Sequence, residues 1–390
     1  MQHSRFVRGA CILTLMGLFT LAGCQSLSAP GGTSGTTPTV TTTGTPVTPT
    51  PTGGTGGQPF ASLLIADTAS TTAPLLIENV NPTSGRRVQV ASIPAGTPSK
   101  VQAISPNGQL VAYTTTASGS GTTLSVADIG ALTPPVAVAQ NIGTLSNAVW
   151  QHDNAHVAVV SGRQLLIFSI TGQAAPSVAF PAAASLLGFA PDDQSIFFTA
   201  ADAPGLASGA LYRLPLADPT HPLQVTPRES GSHFVLSRDG QSVYFDNTAT
   251  TGGAGIYRVA TQTANATPQL LVTGAGNYPL GFSAAGDLLF AAAQTLNPAL
   301  KAVNTAGTVT TVVAKLVDDP AQVRYPNQQI TLAPDGTGIA VVTPLGTSGS
   351  EIFATDLTAS SPAPKVTLTL PGAPRVDLAG WDIVLVAGAS

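Results

Sequence analysis

The sequence predicts an all-β fold assembled from a repeated four-stranded unit, and three observations carry that expectation. Only 9% of the 390 residues are charged, against roughly 25% in an ordinary soluble domain. Helix surfaces need Glu, Lys and Arg in quantity, and that supply is missing. Glycine (40 residues) and proline (32) are abundant, which suits many short strands joined by turns. Thirdly, from about residue 60 onward a short pattern returns at regular intervals: an apolar residue, Ser or Ala, a turn, then a β-rich run.

The clearest copy reads Ile104-Ser-Pro-Asn-Gly-Gln-Leu-Val-Ala-Tyr113. It returns as Phe189-Ala-Pro-Asp-Asp-Gln-Ser-Ile-Phe-Phe198 and Leu236-Ser-Arg-Asp-Gly-Gln-Ser-Val-Tyr-Phe245, then at Phe282–Phe290 and Leu332–Val341. Degenerate copies begin at Trp150 and Leu378. The third position falls at residues 106, 152, 191, 238, 284, 334 and 380, a spacing of 39 to 50 residues, which is the period of a propeller blade. Asn-Gly and Asp-Gly suit the positive φ of a tight hairpin turn, and the β-branched and aromatic run after each suits a buried strand. A third strand follows, as in Leu124–Asp128, Leu211–Leu214, Ile256–Val259 and Glu351–Thr355. A fourth reads Val136–Val138, Leu270–Val272 or Val366–Leu368. One such sheet cannot cover both of its own faces, so the units are expected to stack around an axis. Residues 61–66, 75–80 and 86–93 look like outer strands lacking an inner one, which 376–386 would supply. Seven blades are expected, with six or eight left open.

The repeat resembles the TolB-type, WD40-like propeller repeat, whose core is an aromatic followed by Ser-Pro-Asp-Gly. The resemblance covers nearly all of residues 60–390 and bears on fold more than on function. TolB itself is a soluble periplasmic protein with an additional N-terminal domain. A lipid tether is expected in its place here, so a role in the Tol system is not implied.

The N-terminal residues predict an exported lipoprotein. Arg5 and Arg8 precede an apolar stretch over residues 10–21, of signal-peptide length and short for a membrane-spanning helix, which needs about 20 apolar residues. It ends in Leu21-Ala22-Gly23-Cys24, which resembles the bacterial lipobox: residues 1–23 would be removed and the thiol of Cys24 diacylated. Two acyl chains give stable anchoring. Gln25 in place of Asp implies, by the family's sorting rules, the outer membrane where the cell has two. The expected location is therefore the cell surface or periplasm. Cys11 and Cys24 are the two cysteines of the chain, so the exported domain would hold no disulfide, thiolate metal site or cysteine nucleophile. Residues 24–59 form the lipidated cysteine and a linker almost wholly of Ser, Thr, Gly and Pro. It is expected to stay disordered and, as a flexible coil, to span roughly 30–35 Å. A Thr-rich glycosylated stalk is the alternative reading.

Catalytic signatures are missing from the sequence. There is no Gly-x-Ser-x-Gly elbow, phosphate loop, dinucleotide fingerprint or His-Glu-x-x-His. No basic run follows the signal, which argues against a nucleic-acid partner. His152 and His156 are expected to flank a turn rather than share a metal, and neither metal nor cofactor is expected. Asp153, Asp192, Asp239 and Asp335 recur at one repeat position as turn residues whose carboxylates cap backbone N–H groups. Trp150 and Trp381 fall near a buried position. The contact surface expected is the face built by loops entering the inner strands. It includes Ser232 and His233, Asn277 and Tyr278, and Arg324, Tyr325 and Asn327, because polar aromatics on such loops suit recognition. The expected function is a membrane-anchored, non-enzymatic module binding a protein or cell-envelope polymer. An extracytoplasmic hydrolase or lyase with a site in the central channel is the alternative.

Overall fold

The computed structural model describes residues 62–382, less the segments 69–73, 82–84, 95–96, 98, 117–120, 130–133, 144, 146, 173–177, 180–183, 201–209, 227–232, 248–252, 293–297, 318–328, 345–348 and 372–374. The expected signal (1–23), Cys24 and the linker lie outside the described residues. Those described belong to one compact unit, Gly56–Ser390. Among them, every regular element is a β-strand.

Six sheets are each built from four consecutive antiparallel strands. They comprise β4 (Ser99–Ile104), β5 (Leu110–Thr116), β6 (Thr122–Asp128) and β7 (Val136–Ile142); β8 (Val149–Trp150), β9 (His156–Ser161), β10 (Gln164–Ser169) and β11 (Val178–Ala179); β12 (Ala184–Phe189), β13 (Ser195–Ala200), β14 (Leu211–Pro215) and β15 (Leu223–Gln224); β16 (Phe234–Leu236), β17 (Ser242–Asn247), β18 (Gly255–Ala260) and β19 (Gln269–Thr273); β20 (Asn277–Phe282), β21 (Leu288–Ala292), β22 (Ala299–Val303) and β23 (Val309–Val313); β24 (Gln329–Leu332), β25 (Gly338–Pro344), β26 (Gly349–Asp356) and β27 (Lys365–Pro371). A further sheet has the order β28-β1-β2-β3. In it β1 (Ser62–Thr68), β2 (Leu75–Val80) and β3 (Arg87–Ile93) are joined by β28 (Arg375–Asp382) from the far end of the chain. Antiparallel pairing of Ser62 with Asp382 through Thr68 with Arg375 ties the two ends together.

The first strands of the sheets neighbour one another: β28 with β4, β4 with β8, β8 with β12, β16 with β20, β20 with β24, and β24 with β28. Between sheets lie the cores. In β13 the adjacent Phe197 and Phe198 are both buried but serve opposite faces, as the two-residue period of a strand requires. Phe198 packs with Val160, Leu165 and Ile167 of the preceding sheet, whereas Phe197 packs with Val243, Phe245 and Val259 of the following one. Burial on both faces explains why these strands read as continuous apolar runs.

The turns after five of the inner strands follow one hydrogen-bonding plan. The residue in the Asn/Asp position accepts the backbone N–H two residues on: Asn107 from Gln109 (3.1 Å), Asp153 from Ala155 (2.8 Å), Asp192 from Gln194 (3.0 Å), Asp239 from Gln241 (3.0 Å) and Asp335 from Thr337 (2.9 Å). Positive φ is confined to the next residue, at Gly108, Asn154, Asp193, Gly240, Gly286 and Gly336. Where that residue is not glycine, its side chain reaches the preceding sheet. Asn154 Oδ1 accepts the backbone N–H of Asn107 (2.8 Å), and the Asp193 carboxylate accepts that of His152 (3.1 Å). Where it is glycine, the neighbour can come closer: a Cβ on Gly240 would lie 2.5 Å from Cδ of Pro191.

These turn carboxylates make stability depend on pH. The Ser237 hydroxyl and the Gln241 N–H hold Asp239 below the ordinary carboxylate value. At Asp153, slight burial acts upward and is outweighed by the Ala155 N–H and by His156. A folded-state pKa below the unfolded one stabilises the fold above the unfolded value and loses that contribution as pH falls through the folded value. The melting temperature should therefore fall on acidification below 3.8, the unperturbed value. Asp239→Asn should keep the turn, as Asn107 does in its own, and show a shallower acid drop in calorimetry at pH 5, 4 and 3. An identical drop in the variant would refute this assignment.

Candidate functional site

Two features lie along the axis of the inner strands. The first is where the chain enters them. His233 directly precedes β16, and register places it across from Asp246 of β17, since Phe234 pairs with Phe245. The backbone N–H of His233 donates to Oδ1 of Asp246 (2.8 Å), its Nδ1 lies 3.1 Å from Oδ2, and the Asp246 N–H returns a bond to the His233 carbonyl (3.3 Å). The Asp246 side chain is 11% exposed and that of His233 46%. A shielded carboxylate is thereby satisfied by two donors of one residue, as burial requires. From the next sheet, the ring of Tyr278 stacks on the imidazole with centroids 4.7 Å apart and planes 26° apart. Such a pair adds about 0.5–1.5 kcal/mol beyond area burial.

Of the four contact residues singled out, the structure thus brings His233 and Tyr278 together. Arg324 and Tyr325 lie outside the described residues, as do Ser232 and Asn327. Tyr278 is in β20 rather than on a loop, 8% exposed, packed near Ala291, Leu280 and Ile330. Its neighbour Asn277 is buried, and its amide Nδ2 donates to the carbonyls of Thr273 and Gly274. Asp246 escaped sequence reasoning because its link to His233 exists only once β16 and β17 are in register.

The second feature is a cavity of about 530 Å³ between β4, β8, β12 and β16, reaching the turns that end these strands. Ile104, Leu187, Phe234 and Leu236 form apolar walls, and Asn147, His152 and Arg238 add polar groups. Side chains fasten the two-residue β8 on both flanks. Trp150 Nε1 donates to the Ala103 carbonyl (3.2 Å) and the Ala148 N–H donates to Gln102 Oε1 (3.3 Å). On the other side Asn147 Oδ1 accepts the Leu186 N–H (2.9 Å) and the Ser185 hydroxyl (3.0 Å). Trp150 is buried, as its repeat position implies; the Trp381 side chain is not described. His152 and His156 each bind a different carboxylate, with Nδ1 2.9 Å from Asp193 and 2.5 Å from Asp153 respectively. Among the described residues no group of three or more His, Cys, Asp or Glu could hold a metal ion.

Solved structures share this arrangement. A protein of unknown function from Desulfotomaculum acetoxidans superposes with a TM-score of 0.53 at 15% identity, covering 82% of this chain and 99% of the other. The fold is a β-propeller with four-stranded antiparallel blades. Prolyl oligopeptidase B from Galerina marginata gives a TM-score of 0.51 at 11% identity, over 80% of this chain and 52% of its own. TolB from Acinetobacter baumannii gives 0.45 at 16% identity over 64% of this chain, which in turn spans 63% of the TolB chain. No protein-family model matches the sequence, and no curated protein matches it significantly. At these identities the likeness concerns the propeller fold alone.

Proposed function

We propose that the protein is an exported lipoprotein, cut before Cys24 and diacylated there, whose propeller binds a protein or cell-envelope polymer through the face where the chain enters its inner strands. The propeller is read as seven-bladed, its closing blade combining β28 with β1, β2 and β3. Support for that count comes from the six four-strand sheets together with the sheet order that joins the two ends of the chain. The observation that carries the binding reading is the His233–Asp246–Tyr278 group. A half-exposed imidazole is fixed by a shielded carboxylate and backed by an aromatic ring from the next blade, so little side-chain entropy is lost on contact. By sequence, Arg324 and Tyr325 precede the inner strand β24 as His233 precedes β16, and would extend this face. Among the described residues, the cavity lining holds a histidine and an arginine but no Asp, Glu, Lys or Cys, which favours binding over a channel-centred hydrolase or lyase.

Two experiments test this. Cys24→Ser should move the protein from the membrane fraction to the soluble fraction, because a chain without acyl groups keeps no stable anchor; unchanged membrane retention would sink the lipoprotein reading. Crosslinking on intact cells followed by mass spectrometry should recover one stoichiometric partner, at least several-fold depleted in His233→Ala. Recovery of no partner would favour a plain spacer instead.

A further inference from the structure

We infer that the cavity at the turn-side end of β4, β8, β12 and β16 is a binding site for a small amphipathic carboxylate, an apolar or aromatic body bearing one acidic group. This space, about 530 Å³, lies within the range of small-molecule sites. Its walls carry apolar side chains that remain partly exposed, namely Ile104, Leu187, Phe234 and Leu236.

The room is local to one side of the ring. Gly188 and Gly281 occupy the same position of the repeat, each beside an irregularity in its inner strand. A Cβ on Gly281 would lie 2.8 Å from Leu332 Cδ2, whereas one on Gly188 would meet nothing within 4 Å. The space that Leu332 of the next blade takes up beside Gly281 is therefore open beside Gly188.

Charge selects the ligand. Arg238 stands where three other copies of the repeat have proline (Pro106, Pro191 and Pro334). Arg238 is among the residues lining the cavity, and its Nη2 donates to the Ser283 carbonyl of the next sheet at 3.3 Å. No carboxylate pairs with it among the described residues. The Asp193 carboxylate is occupied by the backbone N–H and Nδ1 of His152, and the described lining residues include no acid. An exposed, planar guanidinium beside an apolar hollow fits a carboxylate with hydrophobic bulk behind it. This inference does not depend on the lipid anchor or on the partner-binding face.

The test is isothermal titration of the purified full chain with 1-naphthaleneacetate, and with its uncharged analogue 1-naphthaleneacetamide, alongside fluorescence of Trp150 at the cavity wall. Saturable binding of the acid is expected, about tenfold weaker for the amide, the size of one charge-assisted contact. Arg238→Gln, an exposed change that leaves the fold intact, should weaken the acid about tenfold and leave the amide unchanged. Gly188→Leu, whose backbone φ is not in the left-handed region, should abolish binding of both while preserving the melting temperature. Absence of saturable binding at millimolar acid, equal affinity for acid and amide, or full binding in the Arg238→Gln variant would each overturn the inference.

Discussion

Gly336→Ala should lower the unfolding free energy by about 3 kcal/mol, from about 1–2 for a side chain held at positive φ and about 1–3 for overpacking. Gly336 sits in the turn after β24 at φ 76°. A Cβ there would lie 2.8 Å from the Cα and carbonyl carbon of Ser283 in the preceding blade, and closer still to the Phe282 carbonyl oxygen. Those are backbone atoms, so the clash can be relieved only by moving one blade against the next. Gly162, in the hairpin between β9 and β10, supplies the comparison: φ is 60°, and a Cβ would meet nothing within 4 Å. Gly162→Ala should therefore show the conformational cost alone, about 1–2 kcal/mol. Urea unfolding measures both. Equal losses would mean that contact between neighbouring turns contributes nothing to stability.

Phe198→Ala should cost about 3–5 kcal/mol, the range for deleting a fully buried phenylalanine. Phe198 has no exposed surface, packs with Val160, Leu165 and Ile167 across the seam between two sheets, and stacks on Tyr212 with ring centroids 5.4 Å apart. No single sheet can close the hole, because its walls belong to two blades. Val88→Ala on the outer strand β3, where Val88 is 42% exposed, should change stability by no more than about 0.5 kcal/mol. A loss of under about 1 kcal/mol for Phe198→Ala would contradict the seam as the main source of cohesion, since even modest cavities cost more than that.

Much of the fold was readable because it rests on local rules applied repeatedly. The Ser-Pro-Asn-Gly run at Ser105–Gly108 marks a turn wherever it lies in space, and the β-branched and aromatic residues after it mark a buried strand. The expected third and fourth strands appear as β6, β14, β18 and β26, then β7, β19 and β27. What was hidden depends on distance and register. β8, β11 and β15 span two residues each, too few for an alternating pattern. Positive φ in these turns falls only on the residue after the Asn/Asp position, whether that residue is glycine, Asn154 or Asp193. The bridges from Asn154 and Asp193 had a visible trace, non-glycine residues where other copies have glycine, but their acceptor role needs the preceding blade in place. The pairing of Asp246 with His233 and the open space at Gly188 are properties of strand register and blade separation. No residue type announces either one.

If the propeller binds its partner through the face marked by His233, a photo-activatable crosslinking amino acid at Ala275, in the exposed turn that leads into β20 beside Tyr278, should capture that partner with His233 left in place. A parallel strain carries the same probe at Val309 on the outer strand β23, which is 43% exposed. In full-length protein in living cells, one discrete crosslinked species is expected from position 275 and none from position 309. The same species from both positions, or a species from position 309 alone, would show that the partner does not bind at this face.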